Sequence, residues 1–454
     1  MSRRSPRLVR FAAFAGISIL AWAAPVLAAG PSVTIYSRDL GFVREAKKLV
    51  LSAARDTVRI EEVSNRLDFP SVRLAPEAGR VTRLAYRWDT SSGDQLLDRS
   101  IGLRIRAVSR GDRVAEGVLL AADGAWVVLR ADDGAVLSVS RATLEEVRLA
   151  KPPSAIALKP AIEAVIEGAR SGSLKAELSY LTGGLSWTAE HTLVRTGETT
   201  GRWATHVQIE NTTGRDYVGA AVKLVAGEPS RTQAGHSPKV EMMTMGRAEA
   251  MTSGESDMSE QSFGDYHLYT LAGQVTLRDR ETQSLTMYDA RDVALKPRYL
   301  YRNGDSRGVL SRLDLVNGAK GGPGAALPAG RVRSFAPDGD GELQFTGESR
   351  LGHKAVDEKF EVEIGYAFDL AAERRDTASR RISDREREYS VRIEIRNRKS
   401  SAARITIEEP ANGEWELVTS SHPGRREDGQ KVVFELDVAA GKSATLTYTA
   451  RQRW

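Results

Sequence analysis

Residues 178–193 read LSYLTGGLSWTAEHTL, with a serine soon after paired glycines and a histidine five residues further on. Two local structures compete for this stretch. A nucleophile elbow would hold Ser186 on a sharp turn between a strand and a helix, with glycine on both sides so that the hydroxyl is exposed. The segment Gly184-Leu185-Ser186-Trp187-Thr188 lacks the second glycine, and no helical pattern follows it. Instead Trp187, Ala189, His191 and Leu193 fall in phase with period two, the mark of a strand. Ser186 then faces away from His191, so the two cannot act as nucleophile and base. The stretch reads as strand, turn and strand, with Gly183-Gly184 supplying the positive φ of a hairpin.

The same alternation extends in both directions. In KFEVEIGYAFDL, Phe360, Val362, Ile364, Tyr366, Phe368 and Leu370 share one face, while Lys359, Glu361, Glu363 and Asp369 share the other. YSVRIEIRNR sets Tyr389, Val391, Ile393 and Ile395 against Arg392, Glu394 and Arg396. Short alternating runs with frequent turns predict an all-β chain of sandwiches or small barrels and argue against a parallel α/β sheet. We expect a β-domain over residues 29–98. A small SH3-like or Sm-like barrel is expected over 99–151, with hairpin turns at Asp123-Gly124 and Asp133-Gly134. A short helical linker is expected over 152–172, because Ile162, Val165, Ile166 and Ala169 in PAIEAVIEGAR recur at helical spacing after Pro160 and before Gly172. A large antiparallel β-sandwich region then fills 173–454, interrupted by a flexible loop from Glu228 to Asp265. No repeat of fixed period is evident.

The chain opens with Arg3, Arg4, Arg7 and Arg10, an apolar run from Phe11 to Leu27, and small residues before Ala28. That order predicts a secretory signal peptide over residues 1–28, cleaved after Ala28 or, as runner-up, after Ala29. A twin-arginine signal is hinted at by Arg3-Arg4, but Pro6 and Arg7 spoil its pattern. No later run is long and apolar enough to span a bilayer, so no anchor is expected after cleavage. The expected location is periplasmic or extracellular. The whole chain carries a formal charge of +5, and removal of the four arginines leaves +1. A near-neutral mature chain offers no electrostatic warrant for nucleic acid. The absence of cysteine excludes disulfides, thiolate metal sites and a cysteine nucleophile.

Other candidate sites are weaker still. His191, His206, His236, His267, His353 and His422 contain no HExxH spacing. Pro337 to Glu342 (PDGDGE) lacks the later ligands of a calcium loop and reads as a hairpin turn. Met242, Met243, Met245, Met251 and Met258, with His236, offer soft ligands for copper(I), against a flexible insertion with incidental methionines. Asn211-Thr212-Thr213 matches a glycosylation sequon and reads better as a turn ending a strand. NGAKGGPG from Asn317 has no Ser or Thr after Lys320 where a phosphate loop needs one. Trp187, Trp203 and Trp415 sit in strands at core phase and read as buried anchors rather than sugar-stacking platforms. No catalytic, cofactor-binding or metal-ligating residue is nominated.

The segments YLTGGLSWTAEHTLV, IENTTGRDYVGAAVKLVAGEP and YHLYTLAGQVTLRDRETQSLTMYDARDV resemble the family of domain of unknown function 4139, which includes mucoidy-inhibitor-like proteins. FDLAAERRDT, IEIRNRKSSAARITIEEP, GEWELV and AAGKSATLTYTARQRW are similar to the closing portion of that family, and VTIYSRDLGFVRE to its lead-in. The resemblance implies an exported, β-rich protein with no agreed catalytic residues. It also implies that the Met-rich stretch lies where members vary. The long coiled coil that mucoidy-inhibitor-like members carry is missing. The expected function is a non-enzymatic envelope protein binding a protein or polymer partner, with a carbohydrate-binding or carbohydrate-processing protein as alternative and copper handling as a third reading.

Overall fold

The computed structural model describes residues 30–88, 92–149, 157, 159–227, 229, 258–263, 266–427 and 429–454. The expected signal peptide, and Met242, Met243, Met245, Met251 and His236, lie outside the described residues. The described chain is nearly all β, as alternation predicts, arranged in several sheets.

Two sandwiches of one topology lie in tandem. The first sheet of the first sandwich runs Tyr266–Leu271, Tyr217–Ala226, Ser32–Tyr36, Gly41–Leu51, Gly172–Thr182. Its second sheet contains Leu185–Arg195, Thr200–Asn211 and Glu281–Ala294 in neighbouring positions. The second sandwich repeats this order with Lys431–Val438, Ala403–Pro410, Lys296–Arg302, Val309–Val316 and Lys359–Tyr366 in one sheet. Leu370–Ser383, Glu386–Asn397 and Ser443–Arg453 are neighbours in the other. A parallel pairing recurs as well, Ser32–Tyr36 with Tyr217–Ala226 and Lys296–Arg302 with Ala403–Pro410. The repeat has no fixed period in sequence because long insertions separate the second and third strands of each copy.

The two copies are interlocked. The insertion of the second copy contains the hairpin Gly330–Pro337 and Leu343–Leu351, which pairs in parallel with Leu185–Arg195 of the first. Val332, Leu351, Leu313, Leu315 and Phe360 therefore join the core built by Val33, Ile35, Tyr180, Trp187, Leu193 and Trp203. The second core is formed by Ile405, Ile407, Phe434 and Leu436 against Val391, Ile393, Ile395, Leu446 and Tyr448. Trp187, Trp203 and Trp415 are all buried, as their phase requires. Each removes a large apolar area from water, about 25 cal/mol per Å2 in favour of the folded chain.

Several expectations need correction. Pro160 to Arg170 is not helical: Ala161–Glu167 is the central strand of a three-stranded sheet, flanked by Arg55–Glu61 and Arg80–Arg87. Ile162, Ala164 and Ile166 alternate and are fully buried, a period-two pattern that the helical reading of the same residues hid. Its β-branched residues and two available partners favour the strand. The one α-helix among the described residues is Gly93–Asp98, capped by the Ser92 hydroxyl, which accepts from Gln95 N–H. Of the strands before Asp98, Ser32–Tyr36 and Gly41–Leu51 lie in the first sandwich, and Arg55–Glu61 and Arg80–Arg87 in the three-stranded sheet. The barrel is open. Its five strands take the order Leu144–Leu149, Arg104–Ser109, Arg113–Ala122, Trp126–Arg130, Val136–Ser140. A three-residue 3-10 turn, Arg141–Thr143, crosses the seam, and the two edge strands it joins do not pair. The expected hairpin turns at Asp123 and Asp133 are present. The flexible loop does not extend to Asp265 as one piece: Met258–Phe263 is a strand on Tyr266–Leu271, and Met258 is buried.

Gly183-Gly184 also plays a different role from a hairpin. Gly172–Thr182 and Leu185–Arg195 belong to opposite sheets, so the turn carries the chain across the sandwich. Gly184 has φ +84, and a Cβ there would meet the Thr212 backbone at 3.0 Å. Its N–H donates to Asp39 Oδ1 at 2.6 Å, which ties the corner to the first hairpin.

Candidate functional site

Where the two sandwiches meet, an open cleft of about 790 Å3 is lined by strand ends from both. Its walls follow from strand parity. Leu295, Leu315 and Phe360 turn into the core, and their neighbours Lys296, Val316 and Lys359 turn outward. Leu351, at the end of the interlocking hairpin, completes the apolar floor, and Arg350 beside it stands on the rim. The loop after Val316 supplies Lys320 and Gly321.

That loop is held rigidly in register by Asn317, which is fully buried. Its Nδ2 donates to the carbonyls of Ala325 at 2.7 Å and Ala355 at 2.9 Å, and its Oδ1 accepts from Gly324 N–H at 3.1 Å. Gly321 O accepts from Ala294 N–H at 2.8 Å, which fixes the loop against the first sandwich. The loop set aside as a poor phosphate cradle thus presents Lys320 to the cleft, and the sequence carried no signal for that placement.

The charge here is unbalanced. Arg298 pairs with Asp314 at 2.7 Å, Arg312 with Glu361 at 2.8 Å, and Lys354 with Glu358. These pairs occupy both carboxylates that line the cleft. Lys296, Lys320, Arg350 and Lys359 have no carboxylate partner among the described residues, and all four are exposed. Four uncompensated cations over an apolar floor form an attractive field for an anion, focused by the low-dielectric wall beneath. A neighbouring charged groove shows the contrast. Five cations and five carboxylates line it, and pairs such as Arg302–Glu408 at 3.0 Å and Lys431–Glu408 at 3.2 Å neutralise it from within.

A second lobe of about 550 Å3 adjoins the cleft, sharing Arg350 and Leu351 with it. Here charges are cross-braced. Glu190 lies 2.8 Å from Arg333 and 3.5 Å from Arg331, and Glu348 lies 3.3 Å and 3.5 Å from the same two guanidinium groups. Thr188, exposed, and His353 also line the lobe. His353 Nδ1 accepts the Ala329 N–H at 3.2 Å. Partial burial and nearby His267 hold the His353 imidazole below its ordinary range, so it favours the neutral form.

The residues singled out by sequence do not converge. Ser186 reaches only Glu210, at 3.4 Å, while His191 is buried on the opposite face. His191 Nε2 donates to Pro328 O at 3.0 Å, so Nδ1 accepts the Thr205 hydroxyl at 3.0 Å, and Thr205 in turn accepts Trp203 Nε1–H at 3.1 Å. This chain consumes every polar atom of the imidazole in structural bonds. His206 is half-buried, His422 contacts Ser421, and His267 pairs with Glu260 at 2.8 Å. No group of three potential metal ligands occurs among the described residues. Asp338 closes the turn from Pro337 by accepting the N–H groups of Asp340 and Glu342, each at 3.0 Å. Asn211 ends its strand as the turn reading requires, its Nδ2 donating to Arg215 O at 2.9 Å and Leu277 O at 3.0 Å.

Residues 176–454 match the family described as Domain of unknown function (DUF4139), more than half of the chain. The matched segment holds the whole cleft and all of the second lobe except Ser37 and Arg38. No curated protein matches the sequence.

Proposed function

The chain belongs to the family of domain of unknown function 4139, and from that premise we propose that it is an exported, non-enzymatic binding protein of the cell envelope whose ligand is an anion held in the cleft. The observation that carries this reading is the set Lys296, Lys320, Arg350 and Lys359, four exposed cations without carboxylate partners around one apolar floor. Export is supported by the basic, apolar, small-residue order of residues 1–28.

Binding rather than reaction is favoured by how the polar groups are used. Buried His191 is spent in a structural chain, and Glu190 and Glu348 are braced by the same two arginines. Calorimetric titration of the full chain with inorganic phosphate tests the reading. Saturable binding that weakens with salt, and that drops about tenfold in a Lys296→Ala/Lys359→Ala variant, is the expected result. No binding at low ionic strength, or equal binding by that variant, rejects the cleft as the site. Fractionation of cells making the tagged chain tests export separately.

A further inference from the structure

We propose that the cleft and its second lobe form one continuous groove for a linear acidic polysaccharide, the cleft holding a sugar carboxylate or phosphate and the second lobe holding hydroxyl groups of the next residues along the chain. This rests on the anion-binding reading and extends it from a charge to a polymer.

Continuity comes from Arg350 and Leu351, which are wall to both lobes. A small anion uses only the cationic lobe and leaves the other empty. The chemistry of the two lobes differs in a way that suits a chain of charged sugars. The cleft is a field of surplus cations. In the second lobe, Arg331 stands between Glu190 and Glu348, so donors and acceptors are present together and largely offset in charge. Thr188 and His353 add a hydroxyl and an imidazole, the latter with Nδ1 already engaged. Sugar hydroxyls both donate and accept, and match such a mixed surface.

Other polyanions fit less well. An acidic peptide brings no hydroxyl groups to the mixed donors and acceptors of the second lobe. A nucleic acid strand gains affinity by stacking bases on exposed aromatic rings. The two large aromatic side chains of the groove, Trp187 and Phe360, are 3% and 4% exposed, and Trp187 Nε1 is occupied by Val225 O at 3.2 Å.

The test is calorimetric titration of the full chain with galacturonate oligomers of one to six units. Malto-oligosaccharides of equal length serve as neutral controls, hexaglutamate as the acidic peptide, and inorganic phosphate as the simple anion. The tetramer should bind at least about tenfold tighter than the monomer, because linked units add contacts without a second association cost. Thr188→Val and His353→Ala should each weaken the tetramer severalfold and leave phosphate unchanged. Both side chains are exposed, so the variants should fold. Phosphate binding with no gain along the oligomer series, or hexaglutamate binding as tightly as the uronide, overturns the polysaccharide groove and leaves the anion cleft standing. Failure of phosphate and every oligomer alike overturns both.

Discussion

His191 Nε2 lies 3.0 Å from the Pro328 carbonyl oxygen, across the junction between the first sandwich and the interlocking hairpin. Burial pushes the imidazole down from its ordinary 6.5 to about 4. The unfolded chain therefore binds a proton that the folded chain refuses, and stability rises with pH across this window. The contribution is complete above pH 6.5 and is lost as pH falls toward 4, in total about 3 kcal/mol. Urea midpoints measured at pH 7 and pH 4.5 should differ by much of this in the native chain. The difference should shrink in His191→Gln, and an unchanged slope would show that other groups set the acid limit.

Asn211 and Asn397 occupy equivalent positions in the two sandwiches, each at the end of its strand before a five-residue turn. Asn397 Nδ2 donates to Ser401 O at 2.9 Å and Val438 O at 3.1 Å, as Asn211 does to Arg215 O and Leu277 O. Each Oδ1 accepts an N–H two residues on, Thr213 at 3.1 Å and Lys399 at 2.9 Å. Replacement by alanine orphans buried carbonyls as well as removing bonds, at about 2–4 kcal/mol per site. Chemical denaturation of Asn211→Ala and Asn397→Ala should show similar losses. A loss under about 1 kcal/mol at either site would mean that water replaces the amide there.

What the sequence disclosed depended on whether a residue's role was local. Alternation around Trp187, Phe360 and Ile393 is local and gave the strands and their buried faces. Ile162 and Ile166 satisfied both a helical and a strand period, Val165 only the helical one, and the partners Arg55–Glu61 and Arg80–Arg87, distant in sequence, decide between them. The duplication is carried by pairing order rather than by matching residues. The cleft was illegible for the same reason: Lys296, Lys320, Arg350 and Lys359 come from four separate segments, and nothing near any of them in sequence says that it lacks a carboxylate.

Glu409 is 1% exposed in the second core, with Arg374 Nε at 3.1–3.2 Å from its oxygens and the Tyr448 hydroxyl donating to it at 2.6 Å. Burial pushes its carboxyl up, so the group needs these donors to remain tolerable as a charge. Arg374→Met should cost about 3–5 kcal/mol, because it strands a buried carboxylate. Arg374→Met/Glu409→Gln should recover most of that, since the amide oxygen still accepts from Tyr448 and no charge remains. A double variant as unstable as the single one would place the loss in the packing of the Arg374 stem rather than in charge.

The interlock makes the first sandwich dependent on the second. Leu185–Arg195 would be an edge strand without Gly330–Pro337, with a row of unpaired backbone groups and an alternating apolar face. Val332, Leu351, Leu313, Leu315 and Phe360 would also be missing from the core that holds Trp203, whose ring meets Phe360 edge-on at 5.5 Å. A chain ending at Ala294 keeps every strand of the first sandwich's own topology and still loses this wall. At roughly 2 kcal/mol for each buried aliphatic or aromatic side chain removed, the deficit is comparable to the whole stability of a domain. The truncated chain should therefore aggregate or bind the dye ANS as a loosened state, and addition of the separate 296–454 chain should restore a soluble complex. A monomeric, cooperatively unfolding 30–294 fragment would mean that the hairpin only decorates a sandwich able to stand without it.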